Sequence, residues 1–258
     1  MSANLMSLAR SGGKFLKLFG DRKMVKTMPT ARDYVQDGLV HLYDGEANSD
    51  SYSHKTDIDT LKDQSGDVDL VLQDGVSVED KSIFYDGTGN SGLATFGSEM
   101  ISSDFVIEGV IGSFAPSGNP QPIIFDYTES KKINIYVFNK FNSNITGLDP
   151  NRTSLFVGGN DFACYQHDYN PMLFSFSIMY ENAIATRCLI NGQTVRDRFV
   201  RNGASFWGRN GNVVAKIPRS TDYNYPLRLY SFRVYSDITP EHESVNYAID
   251  KARFNLPD

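Results

Sequence analysis

The sequence predicts an all-β fold: a sandwich of two antiparallel sheets with a short C-terminal helix and an extended N-terminal arm. Three observations indicate this. Short β-prone segments recur along the chain, separated by Gly, Asn, Asp and Pro. The 17 Phe and 14 Tyr residues supply bulk for a wide core between two sheets. Near the C-terminus, the hydrophobic pattern changes from a strand period to a helix period.

The strand candidates are, in chain order, 38–43, 68–73, 82–85, 104–111, 122–128, 132–138, 153–158, 172–180, 183–190, 193–199, 212–217 and 227–235. Residues 126–131 and 180–183 are predicted to turn two hairpins. Asn191-Gly192 is the strongest turn signal, because a type I′ hairpin needs positive φ at both central residues.

The last strand is predicted to run directly into a helix. Side chains alternate through 227–235, and Ser236-Asp237 ends the strand. Thr239 suits the N-cap, Pro240 suits the first helical position, and Glu241 places negative charge at the helix start. Apolar residues then follow at helical spacing, namely Val245, Ala248, Ile249 and Ala252. They predict a helix with one apolar face that closes an edge of the sandwich.

Several segments carry a family resemblance. Residues 230–235 read Tyr-Ser-Phe-Arg-Val-Tyr, followed by Thr-Pro-Glu at 239–241 and Asn-Tyr-Ala-Ile-Asp-Lys-Ala-Arg-Phe at 246–254. Residues 37–45 and 61–66 read Asp-Gly-Leu-Val-His-Leu-Tyr-Asp-Gly and Leu-Lys-Asp-Gln-Ser-Gly. These segments resemble concanavalin A-like (laminin-G-like) jelly-roll domains of phage and gut-bacterial surface proteins, although Leu61 stands where that family usually has Trp. The resemblance implies a jelly roll over residues 33–256, in a family of lectins, glycosidases and structural modules.

Charge divides the chain into a basic N-terminal arm, residues 1–32, and a sandwich domain, residues 33–258. The arm has seven basic residues and one acidic residue, a net charge of +6, which leaves −12 for the rest of a chain of net charge −6. Gly12-Gly13 splits the arm into segments too short to be stable alone. We expect the arm to anchor the protein in an assembly through Leu5, Leu8, Lys14, Phe15, Leu16, Lys17 and Phe19; a solvated tail is the alternative.

No apolar run approaches the roughly 18 residues that a transmembrane helix needs. The N-terminus lacks the apolar core of a signal peptide, which predicts synthesis in a bacterial host cytoplasm. This favours a location in virions, since a phage protein leaves the cell by lysis. The expected partners are other virion proteins, through the arm, and further copies of the chain, with a trimer as one arrangement. Host surface glycans are candidate ligands, and no specific nucleic acid is expected.

The sequence has no local pattern of a hydrolase site. Glycosidases of this fold resemble one another in a Glu-x-Asp-x-x-Glu strand, whereas Glu108 has no second carboxylate two or four residues further on. Gly-x-Ser-x-Gly does not occur, and Cys164 and His167 are closer in sequence than typical thiol-enzyme pairs. We therefore expect no enzymatic activity, and we expect Cys164 and Cys188 to be reduced core residues.

The Asp-rich turns are candidate Ca²⁺ sites, because many lectins of this kind bind calcium through Asp, Asn and backbone oxygens in loops. The hard oxygen ligands would come from Asp44, Asp50, Asp63 and Asp67. The alternative is that these residues only form turns.

Glycan binding would use aromatic rings beside amide and charged groups on loops. The candidates are Tyr165, Tyr169, Trp207, Arg209, Tyr223 and Tyr225. Loop packing is the alternative role for them.

Together these features predict a non-enzymatic phage virion structural protein, a head or tail fibre or a capsid decoration, that displays a lectin-like jelly roll. Two alternatives are a calcium-dependent carbohydrate-binding module of a bacterial surface protein and a degenerate glycoside hydrolase.

Overall fold

The computed structural model describes residues 28–52, 60–66, 68–72, 75–86, 93–94, 104–113, 123–127, 133–138, 149, 152–158, 162–167, 173–181, 184–196, 198–201, 215–216 and 227–257. These residues form a 3₁₀ helix at Ala31–Asp33, helix α1 at Gly45–Tyr52 and helix α2 at Pro240–Phe254. The strands in these ranges are β1 Leu39–Asp44, β2 Thr60–Leu61, β3 Leu70–Val71, β4 Val76–Glu79, β5 Ser82–Tyr85, β6 Leu93–Ala94, β7 Asp104–Ser113, β8 Ile123–Tyr127, β9 Ile133–Phe138, β10 Thr153–Gly158, β11 Phe162–His167, β12 Phe174–Glu181, β13 Ile184–Ile190, β14 Gln193–Thr194, β15 Arg198–Arg201, β16 Ala215–Lys216 and β17 Leu227–Tyr235.

The strands form two antiparallel sheets. The first sheet has the order β14-β13-β12-β7-β17-β5-β4, and β1 pairs with β17 beyond β5. The second sheet has the order β15-β11-β10-β9-β8-β16-β6-β3-β2. Long strands from distant parts of the chain meet at the centre of the first sheet, where β17 pairs with β7. The predicted all-β sandwich of two antiparallel sheets is confirmed.

The main hydrophobic core lies between the two sheets. Ile107, Ile178 and Phe232 of the first sheet meet Leu155 and Val157 of the second, and all five side chains are fully buried. Leu61, at the position where the family usually has Trp, is fully buried in the same core. The outer face of the first sheet carries a smaller cluster in which Leu42 of β1 packs with the 3₁₀ helix and α2.

Most predicted strands are present, some of them shorter than expected. The predicted strand at 193–199 is instead split, because β14 pairs with β13 in the first sheet and β15 pairs with β11 in the second. Four of the described strands were not predicted, namely β2, β4, β6 and β11. In β11 the apolar and polar positions do not alternate with exposure, because Cys164 and Gln166 on one face are as buried as Ala163 and Tyr165 on the other.

Helix α1 was also missed, because its sequence has no apolar face. Tertiary contacts hold it instead. Lys62 donates its backbone N–H to Asn48 Oδ1 at 2.7 Å, and the Asn48 amide donates to the Asp44 carbonyl at 2.9 Å. A Cβ on Gly45 would lie 2.5 Å from Ser82 Cα, so the helix start packs directly on the β4–β5 hairpin.

The predicted hairpin turn at Asn191-Gly192 is confirmed. Both residues have positive φ, 48° and 71°, as a type I′ turn requires, and they join β13 to β14. Cys164 and Cys188 are both free thiols in the buried interior, as expected. None of the helices in the described ranges is long and apolar enough to cross a membrane.

Candidate functional site

Helix α2 lies on the outer face of the first sheet, and mainly charged and polar side chains fill the contact. The buried residues of the helix are His242, Glu243, Asn246, Ile249, Asp250 and Arg253. Ala248 and Ala252 are exposed instead. The predicted apolar face is therefore confirmed for Val245 and Ile249, which pack in the cluster with Leu42, and wrong for Ala248 and Ala252. Polar contacts fill the rest of the buried helix face. We call the polar contact the α2 seat; it comprises Tyr34, Asp44, Glu108, Arg233, Glu243, Asn246, Asp250 and Arg253.

Arg233 of β17 is the central cation of the α2 seat. Its side chain is 1% exposed. Its two terminal nitrogens donate to the two carboxylate oxygens of Asp250 at 2.8 and 2.7 Å, and its Nε donates to Glu108 Oε2 at 3.1 Å. Burial would lower the pKa of Arg233, but Asp250, Tyr34 and Glu108 raise it well above its ordinary value. A guanidinium this deeply buried therefore stays charged because acceptors surround it.

Tyr34 connects the N-terminal side of the sandwich to this cation. Its ring centroid lies 4.0 Å from the Arg233 guanidinium carbon and 5.3 Å from that of Arg253, within the range of cation–π contacts. Its hydroxyl donates to Asp250 Oδ1 at 2.6 Å. Burial is the main reason that the pKa of Tyr34 lies well above its ordinary value, and Asp250 raises it further.

Arg253, in the last turn of α2, holds the start of α1. It donates to both oxygens of Asp44 at 2.7 and 3.0 Å and to Glu46 Oε2 at 3.0 Å. Its Nη1 also donates to the Tyr34 hydroxyl at 2.9 Å. The two ends of the described chain and helix α1 are thus connected through two buried guanidinium groups.

Glu243, in the first turn of α2, contacts the neighbouring strands β12 and β13. The Ser177 hydroxyl donates to Glu243 Oε1 at 2.6 Å, and Arg187 forms an ion pair with Oε2. Together with Asp250 and Arg233, these contacts attach α2 to three strands of the first sheet.

Glu108 differs from the other carboxyls. Its Oε2 accepts hydrogen bonds from Arg233 Nε and from Asn246 Nδ2 at 2.8 Å, and the residue is 2% exposed. Burial raises its pKa to about 7, although Arg233 acts in the opposite direction; Asp250 raises it further. Glu108 therefore changes protonation near neutral pH.

Three carboxyls from distant segments thus border one crevice, which is lined by Glu108, Glu243 and Asp250. Spacing along the chain does not reveal this grouping, because the three residues come from β7 and from two turns of α2. The crevice has room for about one water molecule, about 10 Å³, and is too small for a sugar ring. Because the carboxyls also bind Arg233, Arg187 and hydroxyl groups, their arrangement suits helix attachment better than sugar hydrolysis.

Two of the candidate calcium ligands lie in the described part of the chain with their side chains placed. Asp44 accepts from Arg253 and from the Ala47 backbone N–H at 3.0 Å. Asp63 accepts from His41 Nδ1 at 2.6 Å and from the backbone N–H groups of Leu42 and Ser65. Burial would raise the pKa of Asp63, but these hydrogen bonds lower it.

The structure therefore does not bring Asp44 and Asp63 together around a common ion. Among the side chains that it describes, no group of three His, Cys, Asp or Glu residues could hold a metal. The side chain of Asp50 and the whole of Asp67 lie outside the described residues, so calcium binding stays a prediction.

Of the candidate glycan ligands, Tyr165 is described. It is 1% exposed, its hydroxyl donates to the Ala185 carbonyl at 3.1 Å, and it accepts from Arg198 Nε at 3.1 Å. Its ring therefore packs between the sheets. The other candidates, Tyr169, Trp207, Arg209, Tyr223 and Tyr225, lie outside the described residues. Also outside the described residues are the anchor residues of the arm, namely Leu5, Leu8, Lys14, Phe15, Leu16, Lys17 and Phe19. Glycan binding by the loops and anchoring by the arm therefore both stay predictions.

The sequence did contain a signal for the α2 seat. Glu243, Asn246, Asp250 and Arg253 follow one another at three- and four-residue spacing, which places them on one helix face. Ser231, Arg233 and Tyr235 alternate on the strand before it. Apart from Glu243, these residues lie in the segments that carried the family resemblance, so those segments correspond to the helix attachment.

The sequence matches no family model and has no significant match among curated proteins. Solved structures do match. The binding domain of botulinum neurotoxin DC in complex with SialylT is 13% identical with a TM-score of 0.55, and the match covers 83% of this chain and 52% of that chain. The binding domain of botulinum neurotoxin serotype D is 13% identical with a TM-score of 0.57, covering 85% and 52%.

A structure that describes ganglioside-dependent cell entry of botulinum neurotoxin type C is 11% identical with a TM-score of 0.54, covering 83% of this chain and 51% of that chain. At these identities the likeness concerns the fold alone. This chain spans about half the length of each of these neighbours.

Proposed function

We propose that this chain is a non-enzymatic, lectin-like binding module whose ligands are glycans. The observation that carries the proposal is the two-sheet sandwich, which resembles binding domains over 83–85% of the chain. One of these is in complex with SialylT, and another neighbour concerns a toxin that interacts with two ganglioside molecules. Since the chain spans about half of each neighbour, the ligand class rests on analogy of fold.

The chemistry of the α2 seat supports a role without catalysis. Its carboxyls are buried, and each accepts at least one hydrogen bond from an arginine or hydroxyl group. Of the three carboxyls at the crevice, Glu108 and Asp250 share Arg233, so a substrate would have to break an internal ion pair before reaching either.

We further propose that the sandwich belongs to a virion, as part of a head or tail fibre or a capsid decoration, and is attached through the arm. The arm's net charge of +6 and its large apolar side chains support docking into an assembly. Detection of the chain by mass spectrometry in purified particles would support this location. Its absence from particles whose other components are detected would overturn it.

Glycan binding is tested by screening the intact protein against a glycan array and against vesicles that contain sialylated gangliosides. We expect binding that Trp207→Ala and Arg209→Ala weaken at least about tenfold, a loss of about 1.4 kcal/mol. Arg196→Ala is the matched control, because Arg196 is an exposed arginine on the described surface. Binding to no glycan would overturn the lectin role.

The same samples distinguish the alternatives. Binding that disappears with EDTA and returns with Ca²⁺ would favour the calcium-dependent module. Release of reducing sugar, abolished by changing one Glu, would favour a glycoside hydrolase.

A further inference from the structure

Glu108 is the carboxyl of the α2 seat with the weakest charge compensation. Asp250 binds both terminal nitrogens of Arg233, Asp44 binds those of Arg253, and Glu243 pairs with Arg187. Within the described ranges, Glu108 accepts hydrogen bonds from Nε of Arg233, whose charge Asp250 already balances, and from the neutral amide of Asn246. The buried groups therefore carry one carboxyl more than their cations match.

We propose that Glu108 is a proton-binding site that sets how firmly α2 and residues 33–36 are held on the first sheet. Residues 33–36 are the first of the sandwich domain and follow the arm directly, and we call them the root of the arm. A proton on Glu108 removes a negative charge that would otherwise stand near Asp250 and Glu243 in the buried contact. Loss of that proton leaves three carboxylates around one crevice, and their repulsion favours separation of the helix from the sheet.

Asn246 connects the proton site to the root of the arm. Its Nδ2 donates to Glu108 Oε2 at 2.8 Å and to the Tyr235 hydroxyl at 2.9 Å, while its Oδ1 accepts from the Val35 N–H at 3.0 Å. The Tyr235 hydroxyl donates to the Val35 carbonyl at 3.0 Å. Both backbone polar groups of Val35 therefore depend on side chains that contact Glu108 or its direct partner.

The charged and titratable groups around Glu108 come from every packed element. β17 supplies Arg233 and Tyr235, α2 supplies Glu243 and Asp250, and Arg187 of β13 acts through Glu243. Tyr34 of the root contacts Arg233 and Asp250. Burial raises the pKa of Tyr235 above its ordinary value, so this hydroxyl stays protonated near neutral pH. Among these groups, Glu108 has its pKa raised to about 7.

The direction of the pH effect follows from that shift. Glu108 binds its proton more tightly in the closed seat than in an open one, where the ordinary value of 4.5 applies. The contribution of Glu108 to closure is thus fully present below about pH 4.5 and is lost as the pH rises to about 7. Mild acid should tighten the seat, and neutral solution should loosen it.

The experiment is hydrogen exchange measured by mass spectrometry on the full chain at about pH 5 and about pH 7.5, corrected for intrinsic exchange rates. We expect the opening constants of peptides that cover α2 and residues 33–36 to be at least about tenfold larger at the higher pH. In Glu108→Gln, which mimics the protonated state, we expect them to differ by less than about twofold after the same correction. Glu181→Gln is the matched control, because Glu181 is exposed at the end of β12, and it should behave like the wild type.

An equal pH response in Glu108→Gln and wild type would overturn the proposal, as would protection that is greatest at neutral pH. A response confined to α2, with residues 33–36 unaffected, would overturn the coupling to the arm. If Glu108→Gln does not fold, carboxyl ¹³C NMR of the wild type decides the matter: a Glu108 titration midpoint near 4.5 would rule out the site, and one near 7 would support it.

Discussion

Arg233 is a buried charged side chain at the centre of the first sheet. Replacing it measures how much its ion pairs with Asp250 and Glu108 contribute to stability. Replacement by Met keeps most of its volume but leaves Asp250 and Glu108 buried without their cation. Breaking a buried pair in this way typically costs about 3–5 kcal/mol. We expect Arg233→Met to lower the free energy of unfolding in urea by that amount.

Lys62→Met is the control for this prediction. Lys62 pairs with Asp69, but the Lys62 side chain is 48% exposed, and exposed pairs contribute about 1 kcal/mol or less. The two variants remove the same formal charge, so the difference measures burial. A loss of less than about 1 kcal/mol in Arg233→Met would mean that the carboxyls are neutralised or hydrated without Arg233.

The role of Arg233 illustrates which residue contacts could be predicted from sequence. Its strand and its alternation with core residues were predictable from period alone. Its partners were not, because Glu108 and Asp250 are 125 and 17 residues away and the pairing depends on how β7, β17 and α2 come together. Hydrophobic spacing also favoured Ala248 and Ala252 of α2 as buried residues, because it expects Ala to be buried before Asp. In α2 the ion pair with Arg233 makes Asp250 the buried residue instead.

At the scale of elements, two hairpins among the described residues have positive φ at both turn residues but different sequences. The β13–β14 turn has Asn191-Gly192, while the β4–β5 turn has Asp80 and Lys81 at φ 47° and 59°. Only the first was predictable, because Asn-Gly is the favoured type I′ sequence. Lysine has a side chain that disfavours this region, so contacts outside the turn must hold the second hairpin.

Those contacts are visible around Arg228. It donates to the Glu79 carbonyl at 3.3 Å and to Ser82 Oγ at 3.0 Å, and its guanidinium carbon lies 4.5 Å from the Phe84 ring centroid. Arg228 of β17 thus stabilises the β4–β5 hairpin, whose own sequence does not favour its turn. Because Arg228 is distant in sequence, this turn could not be predicted from the residues around it.

A pair of opposite substitutions tests this account of the turns. Gly192→Ala should destabilise by more than about 2 kcal/mol, because φ is 71° and the new Cβ would lie 2.4 Å from Tyr247 Cδ1. Lys81→Gly should instead stabilise by about 0.5–1 kcal/mol, since relief of the positive φ outweighs the loss of the exposed ion pair with Glu46. Urea denaturation of each single variant measures both effects.

The background Tyr247→Ala separates the two causes at Gly192. Without the ring, Gly192→Ala should cost only the backbone term of about 1–2 kcal/mol. If Gly192→Ala destabilises equally in that background, the Tyr247 contact contributes nothing. If Lys81→Gly destabilises the protein, the ion pair with Glu46 outweighs the backbone strain.

At the scale of the whole molecule, the N-terminal and C-terminal segments are held together on one face of the sandwich. Thr30 caps the 3₁₀ helix, with its N–H bonded to Asp33 Oδ2 at 2.7 Å, and Ala31 is 5% exposed in the cluster with Leu42 and Ile249. Residues 30–36 therefore pack with the sandwich. The boundary predicted at residue 32 rests on charge and on the resemblance over residues 33–256, neither of which reports the packing of Ala31, and the boundary stays a prediction.

This packing sharpens a truncation test of the arm. Deleting residues 2–27 removes the basic and apolar anchor residues but keeps the capped 3₁₀ helix, Tyr34 and Val35. Deleting residues 2–36 also removes the Tyr34 hydroxyl from Asp250 and the Val35 N–H from Asn246. A loss of about 3 kcal/mol in a domain of this size lowers Tm by roughly 6–12 °C.

We therefore expect the shorter deletion to melt within about 2 °C of the full chain and the longer one to melt at least about 6 °C lower. If the arm anchors the protein in a virion, the shorter deletion should remain folded yet be absent from particles. Leu16→Ser with Phe19→Ser should have most of that effect if apolar docking dominates, whereas replacing Lys14 and Lys17 should weaken incorporation in a salt-dependent way if charge dominates. Normal incorporation of the shorter deletion would instead place the attachment surface on the sandwich itself.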